Sequence, residues 1–285
     1  MKTSLSPIRN RRELSRWLSA YAAVLAALIL GGAALAAEPV LEIAVGASVQ
    51  RLTRTELLKH PSLQAVDVAN DVAYKRPMRY RALPLNALIH PLPASGTVQF
   101  TATDGFVANI PTALLSSAAQ PWIAVEPADT PWPPLKPGGV SAGPFYLVWL
   151  APERAGISPE QWPYQVARIA EALPLEARYP QIVPRLPSGE NAAAMRGLHV
   201  FVANCMVCHQ INGGGDATVG PDLNKPFSPI EYFQEPYLRH LIRDPASVRD
   251  WRQRSMTGFS KEVLSESMLD DLLAYLRLMA AQRRN

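Results

Sequence analysis

The run Phe201-Val202-Ala203-Asn204-Cys205-Met206-Val207-Cys208-His209 decides how the second half of the chain folds. Two thiols three positions apart, with a histidine directly after the second, have the C-x-x-C-H spacing of a haem attachment site. Each thiol can add across one vinyl group of the porphyrin, and two intervening residues match the separation of those groups while the backbone begins a helical turn. His209 then sits beneath the iron, where a neutral imidazole nitrogen serves as the proximal ligand and the other ring nitrogen needs an acceptor. Two other readings compete: the pair could close a structural disulfide, or act as a redox dithiol at the strand-to-helix turn of a βαβ unit, with His209 incidental. The chain holds 2 cysteines and 5 histidines, so their meeting in this order is improbable by chance.

Outward from the motif the pattern is helical. Residues 191–204 carry Met195, Leu198, Phe201 and Val202 in one stripe that leads into Cys205. Ser265 caps a second helix whose Met268, Leu269, Leu272, Leu273, Leu276 and Met279 form a broad apolar face. Between them Pro236 to Arg243 reads as a short helix ended by Pro245.

With Gly220-Pro221-Asp222-Leu223 a dozen residues beyond the motif, the segment 190–285 resembles the class I c-type cytochromes. The resemblance implies an all-α domain holding one covalent haem c through Cys205 and Cys208. Pro221 matches the proline whose carbonyl faces the haem histidine, and Gly197 the small residue that lets the first and last helices cross near Tyr275. A thioether is the usual sixth ligand in carriers because it favours ferrous iron. Met1, Met78, Met195 and Met206 are badly placed for that role, and Met268 and Met279 lie in a helical pattern where methionine fills core. Met256, in Ser255-Met256-Thr257-Gly258-Phe259, resembles the family's methionine loop, although Thr257 stands where proline is common. The implied axial pair is His209 and Met256, with His240 a minor alternative to Met256. His199 reads as a surface or core-edge residue, and Arg249, Arg252 and Arg254 as a solvated loop that could also steer an acidic partner.

The region 38–171 is different in kind. Short β-rich runs (Leu41 to Val45, Val98 to Ala102, Phe145 to Trp149) alternate with turn clusters, an α+β pattern. Thr53 and Glu56 have capping-box spacing, Asp104-Gly105 marks a hairpin turn, and Pro111 to Ser117 adds a helical turn. Arg81-Ala82-Leu83-Pro84-Leu85-Asn86-Ala87-Leu88, Asp104-Gly105-Phe106, Trp132-Pro133-Pro134-Leu135 and Gly143-Pro144 resemble the molybdopterin-binding fold of sulfite-oxidase-type enzymes. That family needs a cysteine thiolate on molybdenum, and both cysteines here are committed to haem. The resemblance therefore implies a cofactor-free relative, with no molybdenum cofactor expected, serving as a docking module or as packing that shields one haem face. Pro174, Pro180, Pro184 and Pro187 make residues 172–189 a semi-rigid spacer between the two domains.

Residues 1–37 read as a secretory signal peptide, with basic residues from Lys2 to Arg16, an apolar run from Tyr21 to Leu30 and Ala34-Leu35-Ala36 at the cleavage point. An uncleaved membrane anchor is the alternative. The five basic residues set against Glu13 account for the whole net charge of +4, so the mature chain is close to neutral and nucleic-acid binding is unsupported. Apolar residues at 48% and charged residues at 18% are those of a globular protein. The expectation is a periplasmic electron-transfer protein, not an enzyme, that docks transiently to a redox donor and acceptor, such as a periplasmic dehydrogenase or oxidoreductase. Rival readings are a haem- or molybdopterin-dependent oxidoreductase subunit and a haem sensor or binding module.

Overall fold

In the computed structural model, residues 37–186, 192–249 and 256–283 are described; the expected signal peptide up to residue 36, residues 187–189 of the spacer, and Arg252 and Arg254 lie outside them. Two sheets take up residues 40–172. In the first, β1 (Val40–Val45) pairs antiparallel with β2 (Ser48–Thr53) and parallel with β9 (Val166–Ala172), while β5 (Thr97–Ala102) and β6 (Val107–Pro111) complete the order β2-β1-β9-β5-β6. The second is antiparallel, β3 (Gln64–Val68), β4 (Met78–Pro84), β7 (Pro121–Val125) and β8 (Phe145–Trp149), in the order β3-β4-β7-β8.

Local chemistry accounts for most of these elements. In β5 every second residue is buried, the signature of a strand with one face on a core. All five residues of β8 are buried although it ends its sheet, because the following segment covers its free edge: the Leu147 N–H donates to the Pro163 carbonyl at 3.0 Å. Asp104-Gly105 turns β5 into β6, with Gly105 at φ +91°, a conformation that a Cβ would strain. Two strands leave their sheets by the same device. Pro84 and Pro111 end β4 and β6 in extended geometry and cap the four-residue helical turns α2 (Leu85–Leu88) and α3 (Thr112–Leu115). After β2, the helical turn α1 (Arg54–Leu58) starts on a capping box: Glu56 N–H donates to Thr53 Oγ1 at 3.2 Å, and Thr53 N–H to Glu56 Oε2 at 2.7 Å.

The spacer is folded where it is described. It carries the turn α4 (Leu175–Arg178) and a 3₁₀ turn at Pro180–Ile182, and Leu175 and Ile182 are buried in the helical core. Helices α5 (Ala192–Asn204), α6 (Pro229–Tyr232), α7 (Glu235–Arg243), α8 (Pro245–Val248) and α9 (Glu266–Ala281) follow. Ser265 caps α9 by accepting from the Met268 N–H at 3.2 Å. The α5–α9 crossing is tight at Gly197: a Cβ there would stand 2.0 Å from the Asp271 carbonyl oxygen and 2.6 Å from Tyr275 Cβ. Beside it the Phe201 and Tyr275 rings meet at 5.5 Å, and the Tyr275 hydroxyl donates to the Ile182 carbonyl at 2.8 Å. Among the described residues no helix is long and apolar enough to cross a membrane.

Residues 39–285 form one compact unit, so the sheets and the helices share an interface. The Val107 N–H of β6 donates to the Val207 carbonyl at 3.3 Å, and Arg178 joins Asp216, at 2.6 and 2.8 Å, to Asn109 of β6, at 2.8 Å.

Candidate functional site

Helix α5 delivers the motif. Its last turn continues past Asn204, with the Cys205 N–H donating to the Phe201 carbonyl at 2.8 Å and the His209 N–H to the Cys205 carbonyl at 2.8 Å. The two residues between the thiols point into different cores: Met206 is buried among the helices, whereas Val207 is buried against the sheets. This divergence fixes the turn from both sides. Cys205 and Cys208 are free, half-buried thiols.

His209 Nδ1 lies 2.8 Å from the Pro221 carbonyl oxygen. An acceptor at that distance assigns the proton to Nδ1 and leaves the Nε2 lone pair for a metal. Gly220 makes the approach possible. Its N–H donates to the Cys208 carbonyl at 2.8 Å, and a Cβ on it would stand 2.6 Å from His209 Cε1. Asp222 ties the loop down by accepting from the backbone N–H groups of Asn212, Gly213 and Asn224. Burial pulls the His209 imidazole below its usual range, partly opposed by the Pro221 bond and Asp222, and so favours the neutral form that can bind iron.

Burial, reinforced by the nearby Glu160 carboxylate, pushes both thiols up to about 12. A redox dithiol of the thioredoxin sort needs a stabilised thiolate, usually at a helix N-terminus. Cys205 instead follows the C-terminal end of α5, where the helix dipole disfavours negative charge, and no strand precedes it. The donor set fits a covalently bound haem better: two uncharged thiols one turn apart and a neutral imidazole with Nε2 available.

Met256 lies half-buried at the start of a loop fastened to α7, where the Phe259 N–H donates to the Ile242 carbonyl at 3.1 Å. Glu160, whose charge is felt at both cysteines, comes from the turn after β8 that packs against β6 and α5. His240 is engaged elsewhere, 2.8 Å from the Ser247 hydroxyl, and His199 is exposed. Glu160 and Tyr164, both near Cys208, come from the sheet region and carry no local sequence signal for a haem site.

Fold and site together define a helical domain built around a C-x-x-C-H haem-attachment motif. Residues 194–280 match the family model described as cytochrome c, and on that match the C-terminal helical region is a cytochrome c domain, a family whose haem c is covalently bound. No curated protein matches the chain. The region before it is sheet-rich and mixed in strand direction.

Proposed function

We propose that the protein is a periplasmic mono-haem c-type cytochrome that passes single electrons between a redox donor and acceptor. The observation that carries this reading is the Cys205-Cys208-His209 turn with His209 Nδ1 held by Pro221, within the matched family segment. Haem c supplies a one-electron ferric/ferrous couple when bound. Cys205 and Cys208 would hold it covalently, His209 Nε2 and the Met256 thioether would ligate its iron, and Pro221 would orient the imidazole and raise its basicity. Held by both side chains, the iron would serve electron transfer and not substrate binding. The sheet region is a cofactor-free relative of the sulfite-oxidase-type fold, since no cysteine outside the haem motif could hold molybdenum. It covers the motif at Val207 and offers its remaining surface to redox partners.

Mass spectrometry of the denatured, exported protein should find haem on the peptide spanning residues 205–209 and stoichiometric iron without molybdenum. The oxidised wild type should show the sulfur-to-iron absorption band, and Met256→Ala should lose it and bind carbon monoxide when reduced. A peptide free of haem would overturn the reading; a wild type without the band would remove Met256 from it.

A further inference from the structure

The loop from His209 to Leu223 closes around the histidine. The Leu223 N–H donates to the Gln210 carbonyl at 2.8 Å, and Gln210 Nε2 to the Gly215 carbonyl at 3.3 Å. Gly215 and Gly220 both press on His209: a Cβ on the first would stand 3.4 Å from the His209 carbonyl oxygen, and one on the second 2.6 Å from the ring. Asp216, next to Gly215, is where this loop is gripped from outside, by residues that precede the matched segment 194–280. Arg178, the last residue of α4, donates through Nη1 to both Asp216 oxygens at 2.6 and 2.8 Å and through Nη2 to Asn109 Oδ1 of β6 at 2.8 Å. The Tyr179 hydroxyl donates to Asp216 Oδ1 at 2.7 Å, and Asn212 Nδ2 to the Gln181 carbonyl at 3.2 Å. Gly214 lies so close to the spacer that a Cβ would stand 2.5 Å from Ile182 Cγ2, and the turn at Gly105 meets the loop at Thr218. The Arg178 and Asp216 side chains are 17% and 18% exposed, so salt screens their attraction little.

We propose that Arg178 is a positioning residue for His209, acting through Asp216 and the loop that presents the Pro221 carbonyl, so that the spacer and the sheet region complete the haem site of the helical region. This rests on haem at the Cys205-Cys208-His209 turn. An imidazole is a stronger donor to iron while its other N–H is held by a fixed acceptor, and a stronger donor favours the oxidised state. Without the Arg178 grip the loop is looser, the bond from His209 to Pro221 is made less of the time, and the reduced state gains.

The test compares variants of the haem-loaded full chain by hydrogen exchange, read by NMR, and by redox titration. In Arg178→Ala the Gly220 N–H, which bonds the loop to the Cys208 carbonyl, should exchange about tenfold faster, the equivalent of one lost hydrogen bond to a charged group, while the amides of α9 keep their protection. At a fixed applied potential its ratio of reduced to oxidised protein should rise roughly threefold, or about 28 mV at about 59 mV per tenfold for one electron. Loss of a cation alone would move the potential down, so the sign separates positioning from charge. Arg178→Ala combined with Asp216→Ala removes both charges and should still show the rise. Arg178→Lys, which keeps the charge and loses the Asn109 bond, should move both readouts the same way by less, and it decides the matter should Arg178→Ala fail to fold. Unchanged exchange at Gly220, or a potential that stays or falls, would overturn the proposal. If the peptide spanning residues 205–209 carries no haem, the reading beneath the proposal fails; if haem is attached and both Arg178 variants behave as wild type, only this proposal fails.

Discussion

Both regions pair surface carboxylates with arginines, as Glu42 of the sheets does with Arg51 and Arg168, but the sheet region also holds a carboxylate that is handled in another way. In the sheets, Asp71 is 2% exposed and forms no ion pair among the described residues; its oxygens accept from the Tyr80 hydroxyl and the Tyr74 N–H, each at 2.8 Å. In the helical region carboxylates stay near water and pair with arginines: Glu235 with Arg239 and Arg277, Glu231 with Arg283, Glu266 with Arg243. The first arrangement makes a polar group part of a packed core, where losing any partner is costly. The second sets charges along a surface, where each pair contributes little and salt weakens it. Asp71 is thus a point where one substitution reaches the sheet core, and in the helices the corresponding point is the α5–α9 crossing.

The largest expected effect comes from that crossing. Gly197→Ala places a methyl into the Asp271 carbonyl, which is backbone and cannot swing aside, so the helices must part. A cost of about 3 kcal/mol is expected. Hydrogen exchange read by mass spectrometry should show protection lost in α5 and α9 and kept in β5 and β9. Equal loss in both regions would break the comparison and make the chain one cooperative unit.

A smaller effect is expected in the sheets. Asp71→Ala leaves the buried Tyr80 hydroxyl and the Tyr74 N–H without acceptors, at about 2 kcal/mol. Asp71→Asn keeps an oxygen acceptor and removes a buried charge, so it should cost less. Denaturant unfolding of both variants measures the difference; if asparagine proved the more damaging, the site would be a charge site and not a hydrogen-bond site.

These contrasts explain how far the sequence could be read. Whatever depended on neighbours in the chain was legible: the stripe of α5, the Ser265 cap, the Thr53–Glu56 box, the Asp104-Gly105 turn. The meeting of His209 with the Pro221 carbonyl was legible as well, through the resemblance that matched Pro221 to the proline facing the histidine. The approach of Glu160 to the cysteines was hidden, since it exists only once β8 has carried its turn to α5. The same holds for Val207, whose burial against the sheets depends on β6 arriving from far away in the chain. In the spacer the four prolines pointed to an extended rod. Leu175, Tyr179, Ile182 and Val183 dock its first part on the helices, and apolar residues scattered among prolines make no periodic pattern.

Acid sharpens the comparison with the smallest effect, one of opposite sign in the two regions. Burial, more than any other cause, raises the Asp71 carboxyl above its ordinary 3.8, so the folded sheets keep that proton longer than the unfolded chain does. The resulting stability is present at low pH and is lost as pH rises from about 4 through the raised value. In the helical region the carboxyls of Glu235 and Glu231 lie below their ordinary 4.5, Glu235 chiefly through its hydrogen bond from Arg239 and Glu231 chiefly through the Ser228 N–H. Their contribution is present above the unfolded value and is lost as pH falls below it. Lowering the pH from 6 to 3 should therefore weaken exchange protection in α7 and α9 before it weakens β4 and β8, and high salt at pH 6 should reproduce part of the helical loss while leaving the sheets unchanged. Asp71→Asn should abolish the acid gain in the sheets and leave the helical loss as it is. Should the sheets lose protection first on acidification, the buried aspartate would have to be charged in the folded state, and the contrast between the two regions would be lost.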